Sequence, residues 1–456
     1  MIKISRLKLL SLLLASTCSA FSMQSSAASG VIVAEPIPPG FQFPSPREEV
    51  QRWSDERDIR AARTHAWYLW EGMNQPSSVK DSNGKILPVW ETWYSNAELF
   101  PPKPSTQSTS LAGVDSRRTS ISRPVQIPSQ FHTTSNPDQV LSFNKFNPAA
   151  AEFITEPHQH DGKTYYYNSL SSLTALNNAF NANNTPVKDR QITDFPNRAI
   201  ETKPVFMLVK KSGLTAIPYW QGPQTSVTPT QPTPNTWTTC VLFDPGSTAS
   251  IQPATSTQIT QAHKSASPNC KSFLYAGLSQ IYSYQLETDA QLSAFKDNQG
   301  GSPKKGDHAV LMAMHINTKE IVNWTWQTFF WSGGETPPNA FPGSMSRQPA
   351  SLEAPWNNYA MCTAYWQENL DGSIHTCFNP YLETAVSGIP DGLNSNCVSC
   401  HGTARTHPYN NAESPVPKYP KNYVRENEVG PAKFSPTYFK GNTRTDFSWA
   451  IPLDSQ

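Results

Sequence analysis

Hydrophobic positions recur along this chain with two different periods, and the changes between them outline its elements. Val50, Trp53, Ile59, Ala62, Ala66, Leu69, Trp70 and Met73 lie near helical spacing. Ser45-Pro46-Arg47-Glu48 ahead of them has the form of a capping box with Pro at the first helical position, so a helix is expected over about 46–72. Asp81-Ser-Asn-Gly84 marks a turn, and Pro88–Tyr94, short and aromatic, reads as a strand. Residues 101–140 turn Pro-, Ser- and Thr-rich but keep Val125, Ile127 and Phe131, which suits a surface excursion better than a free linker. Asn147-Pro148 opens a helix through about Ile154, Tyr165–Tyr167 suggests a strand, and Ser169–Phe180 a further helix.

Strands are then expected over 203–210, 237–243, 308–317 and 322–331. The last two, separated by Lys319-Glu320, read as an antiparallel hairpin. Period two would place Trp324, Trp326, Thr328 and Phe330 on one face. Beyond Pro349 the pattern is irregular. The expectation is an α+β fold: a signal peptide over 1–28, an N-terminal helix, Trp-rich segment and excursion over 29–140, a β-rich body over 141–348, and an irregular C-terminal region over 349–456.

The first residues have their own pattern: basic Met1–Lys8, apolar Leu9–Ala15, then small and polar residues to Ala28. That is the form of a cleaved secretory signal, with cuts expected after Ala20, Ala27 or Ala28; Cys18 lies in a poor lipobox. The expected location is periplasmic or secreted. No later segment is apolar enough to span a membrane. Losing Lys3, Arg6 and Lys8 from 36 basic residues leaves the mature chain two charges short of its 35 acids, which gives no footprint for nucleic acid. Of 456 residues 41 are Pro and 13 are Trp, and the apolar content of 37% is ample for a large core.

An exported chain should bond its cysteines, and six remain after Cys18: 240, 270, 362, 377, 397 and 400. Two stand in Asn396-Cys397-Val398-Ser399-Cys400-His401-Gly402, which contains Cys-x-x-Cys-His. Two intervening residues let one turn present both sulfurs to one edge of a haem, where they add to the vinyl groups, and the adjacent imidazole faces the iron. One covalent haem c on Cys397 and Cys400, with His401 as proximal ligand, is therefore expected. The rival readings are a zinc site on Cys362, Cys377, Cys397 and Cys400, a thioredoxin-like pair, and a plain disulfide across the motif. The other four cysteines can pair three ways, of which Cys240–Cys270 and Cys362–Cys377 close the shortest loops.

With this motif the chain resembles exported bacterial cytochrome c family proteins, which share stretches such as Pro88–Tyr94, Asn323–Phe329 and Cys377–Glu383. The resemblance implies haem attachment on the exported side of the membrane. In small class I cytochromes the sixth ligand is a Met downstream of the motif, but the last Met here is Met361. A sixth ligand would have to be His315, inside the apolar run Ala309–Ile316, or His407, or else Met312, Met314, Met361 or His375. His315 is the first choice and His407 the second, with a hydrogen-bonded core histidine the plain alternative for His315.

Two further groupings stand out. Glu156, His158, His160 and Asp161 are a metal-ligand set or an exposed turn before Gly162, and the pairs Trp90/Trp93 and Trp324/Trp326 are stacking platforms or core. No nucleophile elbow, phosphate loop or dinucleotide fingerprint is present, so the visible chemistry is redox. The expected function is electron transfer with a redox partner protein or a small-molecule donor or acceptor. The alternatives are a haem-dependent oxidoreductase or gas sensor with an open distal site, and a binding module with an accessory haem.

Overall fold

The computed structural model describes residues 31–100, 110–116, 118, 120, 121, 123, 141–222, 237–263, 270–299, 302–334, 341–383, 396–406, 439 and 441–454. The signal segment, most of 101–140 and His407 lie outside the described residues.

The long apolar run after Gly306 forms the axis of the fold. His308–Thr318 is a strand with most of its side chains buried on both faces, flanked by Ile200–Val209 on one edge and Thr325–Trp331 on the other. Tyr359–Thr363 extends the sheet beyond Thr325–Trp331, and Lys145–Phe146 and Tyr94–Ser95 extend it beyond Ile200–Val209. Ser283–Gln285 and Leu141–Ser142 complete eight antiparallel strands. A second sheet of five strands, with Thr239–Asp244 at its centre, packs beside the first through Tyr219 and Phe243 against Trp331. With helices on this β-rich body, the fold is α+β. Among the described residues no helix is long and apolar enough to cross a membrane.

Register assigns the two faces of the main sheet. Met314, Phe329 and Met361 form one row across three strands, on the face covered by the helix Ile59–Met73, whose Trp70 stacks on Phe329 at 4.3 Å. Lys203, His315, Thr328 and Cys362 form a row on the opposite face. That second face is covered by the C-terminal part of the chain. Cys362–Cys377, one of two disulfides with Cys240–Cys270, ties residues 377–383 down onto it.

Several elements differ from the pattern-based expectation. The helix expected over 46–72 is two, Arg47–Glu56 and Ile59–Met73. Arg57 takes a left-handed φ of 58°, and the Asp58 side chain caps the second helix by accepting from the amides of Arg60 and Ala61. The expected capping box does not form: Pro46 sits at the cap, and the Ser45 amide instead donates to Glu320. Pro88–Tyr94 is mostly a 3₁₀ turn, Val89–Thr92, because buried cations from distant segments take its carbonyls. Lys145 Nζ donates to the carbonyls of Glu91 and Trp93, and Arg118 Nη2 donates to that of Thr92. Trp324 has a φ of 60° and lies outside the strand, so only Trp326, Thr328 and Phe330 share the expected face. Trp90, Trp93, Trp324 and Trp326 are all buried and offer no exposed platform. Lys319 and Glu320 turn the expected hairpin and are fully buried. Beyond Pro349 the strand Tyr359–Thr363 was not anticipated.

The Cys362–Cys377 bridge closes a loop with a sequence separation of 15. Replacing both residues by Ser is expected to cost about 3 kcal/mol of stability. Chemical denaturation without reductant measures this, and an unchanged midpoint would show that the loop is held by packing alone.

Candidate functional site

Cys397–His401 forms a single helical turn, and Asn396 is the residue that places it. The Asn396 side-chain oxygen accepts from the Ser399 amide at 3.1 Å, an N-cap, while its amide group donates to the carbonyls of Gln367 at 3.1 Å and His375 at 2.7 Å. The cap thus ties the turn to the segment that follows Tyr359–Thr363. Val398 and Ser399 point into the protein and are buried, whereas Cys397, Cys400 and His401 are half-buried. Gly402 closes the turn tightly; a Cβ there would meet the Val398 carbonyl oxygen at 3.0 Å.

His401 Nδ1 lies 2.8 Å from the Phe447 carbonyl oxygen. A carbonyl only accepts, so the proton sits on Nδ1 and the lone pair on Nε2, which has no hydrogen-bond partner among the described residues. This is the pattern of a metal-ligating histidine whose second nitrogen is fixed by an outer hydrogen bond. The ring packs against Trp326 at 4.3 Å. Burial drives the His401 pKa down to about 3, against the Phe447 hydrogen bond, so the imidazole is neutral as a ligand must be.

The Phe447 carbonyl is delivered by a strap, residues 441–454, that returns from the C-terminus between Arg190–Ile192 and Ala404–Thr406. Asp446 and Phe447 hold left-handed φ values of 48° and 66°. Asp446 is clamped by Lys319 Nζ and by the Phe195 amide at 2.9 Å. Trp449 Nε1 reaches the Cys400 carbonyl at 3.4 Å.

Cys397 and Cys400 are free thiols, while the other four described cysteines are in disulfides. Burial, and then the Glu383 carboxylate, push both thiols up, Cys400 to about 12. A thioredoxin-like pair requires the opposite shift. The zinc reading fails because Cys362 and Cys377 are bonded to each other. Among the described residues no cluster of three or more His, Cys, Asp or Glu side chains could hold a metal ion. His158 and His160 lie on the strand Pro157–His160, which pairs antiparallel with Lys163–Tyr166 across a left-handed Asp161-Gly162 turn, and Glu156 caps the preceding helix. His158 bonds the Phe153 carbonyl and His160 the Tyr167 hydroxyl.

Of the candidate sixth ligands, Met314 and Met361 face the wrong side of the sheet, and Met312 is buried in a bulge. Both nitrogens of His375 are bonded, to Thr363 O and Asn369 Oδ1. His315 is on the right face, but its Nε2 is paired with Glu383 Oε1 at 2.8 Å. Sequence reasoning passed over Glu383, Lys203 and the Phe447 carbonyl. The last is a backbone group with no side-chain signature.

Comparison with protein-family models, curated proteins and solved structures finds no match to this chain.

Burial raises the Asp446 carboxyl from 3.8 to about 6 despite Lys319. Between those values the folded protein holds a proton that the unfolded chain has lost, so this group's contribution to stability falls as pH rises through the window. The buried histidines work in the opposite sense, so the fall is read as the difference between wild type and Asp446→Asn in unfolding free energies measured from pH 4 to 7. An identical pH profile in the variant would show that Asp446 ionises normally.

Proposed function

We propose that this chain is an exported, periplasmic or secreted monohaem c-type cytochrome that transfers electrons through a haem held covalently by Cys397 and Cys400. The observation that carries the reading is the His401 imidazole, protonated at Nδ1 by its bond to the Phe447 carbonyl and with Nε2 unengaged, on the same half-buried face as two free thiols. A bound haem would supply one-electron redox chemistry.

The chain's own residues do the rest. Cys397 and Cys400 would form the thioethers, their half-buried sulfurs lying on the open side of the turn. His401 would ligate through Nε2. The Phe447 carbonyl keeps the proton on Nδ1 and so raises the electron density of the ligating nitrogen. Trp326 fixes the plane of the ring, and the buried sheet beneath it excludes water. The partner is a redox protein or a small donor or acceptor.

Expression in a strain competent for cytochrome c maturation is expected to give a periplasmic protein that stains for haem on a denaturing gel. Cys397→Ala with Cys400→Ala abolishes the stain. His401→Ala retains stain through the thioethers but changes the absorption spectrum. Recovery of wild-type apoprotein alone from such a strain would refute the reading.

A further inference from the structure

Two histidines, His401 and His315, lie on the thiol-bearing side of the sheet, each with a single ring nitrogen bonded among the described residues. His65 and His375, elsewhere in the core, have both ring nitrogens bonded, to Tyr365 and Glu320 in one case and to Asn369 and Thr363 in the other. His401 and His315 each have one. For His315 the bonded nitrogen is Nε2, on Glu383 Oε1 at 2.8 Å.

Glu383 is itself fixed. Its second oxygen accepts the amide of Asn379, and the Asn379 side chain donates to Thr328 Oγ1 at 2.7 Å, beside His315 in the sheet register. The carboxylate accepts from Nε2, so in the neutral tautomer that this bond selects the lone pair lies on Nδ1 of His315. The pair is not sealed in: the two side chains keep 15% and 18% of their exposure. Lys203 lies opposite His315 in the neighbouring strand, and its charge acts on both His401 and Cys400. The charge of Glu383 acts on both thiols. All these groups therefore converge on the space where Cys397, Cys400 and His401 would hold a haem.

We propose that His315, backed by Glu383 and flanked by Lys203, is a proton-accepting site for a small protonated ligand at the haem, of the class of hydroperoxides, hydrogen cyanide and hydrazoic acid, and is not the sixth iron ligand. This rests on the haem reading of Cys397, Cys400 and His401. The ligand enters as H–X; the H–X bond breaks, the proton goes to His315 Nδ1, and the electron pair stays on X, leaving an anion with the Lys203 charge nearby. No electron is transferred in the step. Glu383 acts as a positioning residue, since it holds the His315 tautomer that can accept.

The test uses ferric holoprotein and hydrogen cyanide in a stopped-flow spectrometer, with haem content and spin state recorded for every variant. The wild type is expected to bind cyanide, and His315→Ala to bind it about 10²- to 10⁴-fold more slowly with the haem retained, the range by which a positioned proton acceptor accelerates a step. Glu383→Gln, which keeps the shape but would donate to Nε2 and put the proton on Nδ1, is expected to slow association at least about tenfold. If His315→Ala is recovered without haem, Glu383→Gln decides in the same assay. A low-spin wild type inert to cyanide, or association unchanged in the haem-loaded variants, overturns the proposal while leaving haem attachment intact. A wild type without haem removes the underlying reading instead.

Discussion

Two adjacent charged side chains at the tip of the central hairpin, Lys319 and Glu320, are wholly buried, and they hold the two sides of the protein to the sheet. Lys319 reaches toward the C-terminal strap and binds Asp446. Glu320 reaches toward the helices and accepts from the Ser45 amide, from Thr318 and from His65, which also bonds Tyr365. A buried charge is tolerable only when its partners are complete, and removing one partner typically costs about 3–5 kcal/mol. The hairpin tip therefore constrains what can lie on either face. The strap must be docked before Lys319 is satisfied, and the helix pair before Glu320 is.

That constraint explains which parts were legible in the sequence. The strands His308–Thr318 and Thr325–Trp331 are apolar runs long enough to declare themselves, and the helices Pro148–Thr155 and Leu170–Ala182 begin at Asn147 and Ser169, whose side chains cap them. Such signals are local. Lys319-Glu320 marked the hairpin correctly, but the burial of the pair depends on Asp446 and His65, each more than a hundred residues away. Pro88–Tyr94 misled because its carbonyls are taken by Lys145 and Arg118. Cys-x-x-Cys-His was legible because the chemistry of its spacing lies within five residues. Glu383 and Lys203 join it only through sheet register and a disulfide.

The sheet also separates packing from chemistry. Its helix-side face carries Met314, Phe329 and Met361 against Trp67 and Trp70, a row of large apolar groups that leaves no room for a cofactor. Its other face carries Lys203, His315, Thr328 and the bonded Cys362, a polar row too hydrophilic to pack without partners. Asn379 and Glu383 answer Thr328 and His315, and the turn bearing Cys397, Cys400 and His401 lies over the same face against Trp326. A body of this size makes physical sense if one face must be kept dry on one side and polar on the other.

The strap shows where conformational energy is spent. Asp446 and Phe447 are consecutive non-glycine residues in the left-handed region, a state that costs on the order of 1–3 kcal/mol per residue and persists only where the surroundings over-determine it. Lys319 and the Phe195 amide hold Asp446, and Ser448 is held by Glu201. A relaxed backbone could pack Phe447 equally well. What it would lose is the direction of the Phe447 carbonyl, which in this conformation meets His401 Nδ1 at 2.8 Å. The strain is thus located at the one backbone group that decides which nitrogen of His401 carries the proton. Left-handed non-glycine residues also occur elsewhere, as at Arg57 between the two helices; in the strap the pair sets the direction of the carbonyl that fixes the His401 tautomer.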